Sequence, residues 1–274
     1  MGNKILISVF DSEQMAFEGL SALKELHRDG DITMYASTVI AKDALGTVSV
    51  RQRADRGPVG TLVGIVTGGL VGLLGGPAGI AVGAYIGGFG GMIYDLFKAG
   101  LSMDFVDEVA ASVTPGKAAI IADVDEMWVT PIDTRLAVLG GTTFRRFPGE
   151  VIDAELVRET DAARMELEQL RTELREATGE AKANVQKAID AQRRKLEALN
   201  ERIEKTLAQE KAEFEARLAT LREQQAKARD SKRQQIDARI DELKASHETR
   251  KAKLAAARQQ AKESLEATIE ALKV

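Results

Sequence analysis

Two histidines, three clustered carboxylates and no cysteine make up most of the chemical inventory of this 274-residue chain. The absence of cysteine excludes disulfides, thiolate metal sites and cysteine nucleophiles. His27 and His247 fall in different segments, so they form no pair by sequence. No HExxH, CxxC or Walker A pattern occurs. The glycines around Gly87–Gly91 depart from GxGxxG and follow a helical pattern rather than a strand, which argues against a nucleotide loop. Asp123, Asp125 and Glu126 cluster at a strand end and raise the idea of a divalent-cation site. A calcium loop needs more ligands at fixed spacing, so a solvated strand terminus is the expected reading. No nucleophile–base pair is visible, and the expectation is a protein without catalysis, metal or cofactor.

The elements that would position these residues come in three segments. The first, residues 3–56 plus 98–149, reads as a small α+β domain. Lys4–Phe10 is a short β-branched run, hence a strand, and Asp11 or Ser12 can cap the helix after it. That helix places Met15, Leu20, Leu23 and Leu26 near one face and ends at Asp29-Gly30. Ile32–Ile40 and Thr47–Arg51 read as strands, and Ser102–Val113 as a helix closed by Pro115-Gly116. KAAIIADV at Lys117–Val124 is a strong strand. A short helix over Pro131–Leu139 and a strand over Thr142–Phe147 finish the pattern. This order predicts a ferredoxin-like domain.

The second segment, residues 57–97, interrupts that domain. Gly60, Gly64, Gly68, Gly72 and Gly76 are spaced by four, and Gly79, Gly83, Gly87 and Gly91 repeat the spacing. Four residues is close to one helical turn, so each series forms a smooth face, and Gly75-Gly76-Pro77 is a natural reversal. The reading is a glycine-zipper helical hairpin. Each interior glycine costs about 1 kcal/mol relative to alanine, on the order of 10 kcal/mol over the segment, and something must offset it. Close packing of backbones is one source and a bilayer is another. No charge occurs from Gly57 to Tyr94. Arg51, Arg53 and Arg56 precede the segment, Lys98 follows it, and Tyr94 is placed to anchor at an interface. The favoured expectation is a membrane hairpin with both flanks in the cytoplasm. The alternative is a hairpin buried in a soluble oligomer.

The third segment, residues 150–274, is expected to be a long coiled coil. It carries 26 basic and 26 acidic side chains, against 12 and 16 in residues 1–149. That balance excludes a nucleic-acid tail. Leu196, Leu199, Ile203, Leu207, Phe214, Leu218 and Leu221 form one apolar stripe. Ile236, Ile240, Leu243, Leu254, Leu265, Ile269 and Leu272 form another. Separations of eleven recur, which implies a nearly straight or slightly right-handed coil. The rod could reverse at Gly179 or within residues 222–235, and the sequence leaves both open.

The KILISVF strand, the helix after it, the glycine-rich hairpin, the PGKAAIIADV strand and the LGGTTFRRF strand together resemble the bacterial domain-of-unknown-function family 1269, over residues 3–149. The resemblance implies a membrane protein, and it implies neither an activity nor a catalytic residue. The coiled coil departs from the shorter members. The expectation is a membrane-associated scaffold that oligomerises with itself, through hairpin and coiled coil, and holds an unknown protein partner. A soluble self-assembling particle or filament is the alternative. A small pore stands below both, because the hairpin offers no polar ring.

Overall fold

The computed structural model describes residues 3–54, 59–75, 102–147 and 151–271. Gly76, Gly79, Gly83, Gly87, Gly91, Arg56, Tyr94, Lys98 and Leu272 lie outside these. The chain divides into two compact units, Met1–Glu150 with Glu213–Lys244, and Val151–Ala212 with Ala245–Val274.

The first unit is α+β. Its elements run β1 (Lys4–Phe10), α1 (Glu13–Asp29), β2 (Ile32–Lys42), β3 (Val48–Ala54), α2 (Gly60–Leu74), α3 (Met103–Ser112), β4 (Ala118–Glu126), α4 (Thr130–Val138) and β5 (Thr142–Arg146). The strands form one antiparallel sheet of order β3-β2-β4-β1-β5. Thus β4 lies between β1 and β2, and β1 lies between β4 and β5. The local signals act where the sequence put them. Ser12 caps α1 by accepting from the Met15 amide, and Gly30 ends it at φ 82°, a left-handed backbone that suits glycine.

Strand alternation sends two sets of side chains to opposite faces. Ile5, Ile7, Val9, Ile40, Ala119 and Ile121 meet α2 and α3 on one face. Leu6, Phe10, Val39, Ile120 and Val124 meet α1 and α4 on the other. Met15, expected on the buried face of α1, is instead 40% exposed, whereas Leu20, Leu23 and Leu26 are buried. Phe10 fills a slot made by two glycines. A Cβ at Gly19 would sit 2.6 Å from the ring, and one at Gly141 would sit 2.7 Å from it.

α2 is the first arm of the expected hairpin. Its 15 residues span about 22 Å, short of a hydrocarbon core of about 30 Å. Val63, Val66, Leu70 and Val71 are buried in the sheet core, so this arm is part of the folded domain. Among the described residues no helix is long and apolar enough to cross a membrane.

The long C-terminal region is helical: α5 (Val151–Glu176), α6 (Gly179–Lys227) and α7 (Asp230–Ala271). Both candidate break points are used. Gly179 takes φ 58° at the start of α6, and α6 gives way to α7 within residues 222–235. In the second unit the three helices pack together. Leu156, Ala163, Leu167, Ile189, Leu196, Leu199, Ile203, Leu254, Ala257 and Ala261 form their core, with Leu207 and Leu265 partly buried against it. Pairings fix the directions. Glu159 accepts from Arg202 and the Ala163 carbonyl accepts from Gln192, so α5 and α6 run antiparallel. Glu204 with Arg258 and Glu210 with His247 make α6 and α7 antiparallel as well.

Candidate functional site

The apolar stripes of the sequence do not form one seam. Leu221, Ile236 and Ile240 are buried with Tyr35 and Val59 in the first unit, with Leu218 and Leu243 packed around them. Phe214 is half-buried, and Ile269 is 42% exposed. Glu213–Lys244, the end of α6 and the start of α7, therefore belongs with the sheet. Where this helix pair meets the start of β2 and the end of β4, several buried polar groups collect.

β4 alternation divides the acidic cluster. Asp123 and Asp125 follow Ala119 and Ile121 to the α2–α3 face, and Glu126 follows Ile120 and Val124 to the α1–α4 face. The expected solvated strand terminus is not what forms: Asp123 and Glu126 are 0% and 1% exposed. Asp123 receives Arg217 at 2.5 Å and 3.3 Å and Asn3 at 3.1 Å. The Arg217 guanidinium lies 4.6 Å over the Tyr35 ring and also donates to Glu213. Glu126 takes Arg145 at 2.6 Å and Lys4 at 3.2 Å, and Arg145 reaches on to Asp133. Because Glu126 faces away from the two aspartates, the three carboxylates do not converge. No group of three metal-ligating side chains occurs among the described residues.

A third set joins α1 to the helix pair. Gln224 donates to the carbonyls of His27 and Ile32 and accepts from the Thr33 hydroxyl at 2.7 Å. Arg239, only 1% exposed, donates to Thr33 Oγ1 and the Gly30 carbonyl, both at 2.5 Å. Lys232 pairs with Asp31 at 2.5 Å. The His27 ring accepts from the Met34 amide at 3.2 Å, which places it at the C-terminal end of α1.

Burial shapes the charges. Desolvation raises the Asp123 pKa, opposed by Arg217 and Asn3. Desolvation also works against the Arg217 cation, yet Asp123 and Glu213 outweigh it and hold the charge. Asp125 is pushed up to about 6, chiefly by desolvation, with Arg239 opposing and Glu242 adding. Desolvation lowers Arg239, against the pull of Asp125. This is a set of charges that pins helices to a sheet.

The other sequence-predicted residues are dispersed. Arg51 pairs with Glu13 at 3.1 Å, and Arg53 lies against Gly64; both stand on β3. Gly60, Gly64, Gly68 and Gly72 are all on α2 and buried. Trp128 is 67% exposed just before α4. An open groove of about 660 Å³ runs between α1 and α4, floored by Phe17, Ala22 and Leu139, away from the buried carboxylates. Sequence reasoning missed Arg217 and Arg239. Each sits beside an apolar stripe, the only signal that they point inward.

Residues 61–171 match the family described as Protein of unknown function (DUF1269). The match begins inside α2 and extends into α5, later at both ends than the 3–149 expected from the sequence. No curated protein and no solved structure matches the chain.

Proposed function

From the membership of residues 61–171 in the DUF1269 family, whose function is not established, we propose that this chain is a non-enzymatic structural protein that associates with itself through the glycine-zipper segment. The observation that carries the reading is the division of α2 into two sides. Val63, Val66 and Leu70 are buried on the side toward the sheet. At 100° per residue, Gly60, Gly64, Gly68 and Gly72 run along another face of α2; all four are buried, and Gly64 lies against the Arg53 side chain. Glycine faces of this spacing suit backbone-to-backbone packing. The strand order supports the ferredoxin-like reading of the domain. Without the edge strand β3 it becomes β2-β4-β1-β5, two interleaved β-α-β units.

Since the chain has no cysteine, a single introduced one reports contact unambiguously. Gly64→Cys is expected to give a disulfide-linked dimer under mild oxidation, and Leu45→Cys, on a turn and 92% exposed, is the control. Equal, slow crosslinking of both would refute the shared glycine face. A second reading, attachment to a bilayer, is favoured by the charge-free run from Gly57 to Tyr94. Flotation of the full chain with phospholipid vesicles after a high-salt wash tests it; a chain left at the bottom of the gradient contradicts it.

A further inference from the structure

The contact of the α6–α7 end with the sheet differs in kind from the sheet's own cores. Its apolar centre is small: Tyr35, Val59, Leu221, Ile236 and Ile240. Around it stand two buried arginines, Arg217 in the carboxylate–aromatic socket of Asp123 and Tyr35, and Arg239 on Thr33 and the Gly30 carbonyl. Buried ion pairs roughly cancel their own desolvation, so they fix register more than they add hold. Every one of these partners comes from a segment far away in sequence, Arg217 from 94 positions beyond Asp123. The Arg239 Nε is buried without a hydrogen-bond partner, and the socket therefore carries an unmet polar group.

We infer that Glu213–Lys244 is a latch, a helix pair that docks on the β2–β4 sheet end as one piece and can release while the sheet stays folded. Release separates two charged helices from a polar socket and opens neither of the large sheet cores. It exposes Asp123, Tyr35, Thr33 and the Gly30 carbonyl, a surface shaped for guanidinium groups. Acidity sets the direction of the hold. Asp125 faces Arg239 and Glu242 from α7 and Arg217 from α6, with Asp123 on its own strand. Its pKa is raised in the docked state, so the docked state takes up a proton more readily than the released one. The contribution is present below the ordinary carboxylate value of 3.8 and lost as pH rises through about 6. Docking is then roughly tenfold tighter at pH 5 than at pH 7.

Native-state hydrogen exchange on the full chain tests the latch. The expected result is that residues 213–244 and the start of β2 open together, before β1 and the middle of β4. Arg217→Gln should raise the opening of residues 213–244 by tenfold or more, with β1 exchange unchanged. Asp123→Asn combined with Arg217→Gln, which removes both charges of that buried pair, should restore part of that protection and guards against a variant that fails to fold. Asp125→Asn should abolish the difference between pH 5 and pH 7. If residues 213–244 and β1 lose protection at one rate in the native chain and in all three variants, the helix pair is an inseparable part of the core and the latch is refuted.

Discussion

At the residue scale, the fold rests on a few contacts with defined costs. Phe10 is 1% exposed and closed in by two glycines, so it has nowhere to move. Gly19→Ala adds a methyl at 2.6 Å from that ring, and helix propensity returns at most about 1 kcal/mol. Thermal denaturation should show a net loss of about 1–3 kcal/mol, the usual cost of overpacking. Gly64 is the contrast. Its added Cβ would meet the end of the Arg53 side chain at 3.2 Å, a group able to swing aside. Gly64→Ala should leave stability unchanged or raise it by up to about 1 kcal/mol. Glu126 holds both Lys4 and Arg145, so Glu126→Ala takes this carboxylate from Lys4 and leaves Arg145 to Asp133. Chemical denaturation should record a loss of about 3–5 kcal/mol.

At the element scale, nearly every strand and helix of the first unit was legible. The signals are local: β-branched runs, the Ser12 cap and the left-handed Gly30. Gly179, the lone glycine in an otherwise helical composition, marked one of two candidate breaks that the sequence left open. Partnerships across long distances were not legible. The sequence assigned no neighbours to the strands; pairing puts β3 at the edge and β4 in the middle. Periodicity states which face is buried, not what buries it. The stripes on α6 and α7 looked like one seam for that reason, although Leu196 and Leu221 belong to different cores. Asp123 looked solvated because its counterion, Arg217, lies in another segment. The glycine spacing was correctly tied to helix on α2, but the packing of that helix on a sheet left no trace in the spacing. Leu221→Ala should therefore weaken the docking of residues 213–244 and leave the three-helix unit untouched, as differential hydrogen exchange in the two regions would show.

At the scale of the whole molecule, the two units draw on different means of support. One has a sheet covered on both faces, and the other has three helices with a core of leucine, isoleucine and alanine. The proposed association of copies of this chain runs through the glycine row of α2. Sedimentation equilibrium of the full chain in detergent-free buffer tests it most directly, alongside Gly64→Leu. The account predicts a mass that is a multiple of 29.6 kDa for the native chain and a fall toward 29.6 kDa for the variant, with its helical content retained. A native chain that sediments at 29.6 kDa at every concentration would contradict it.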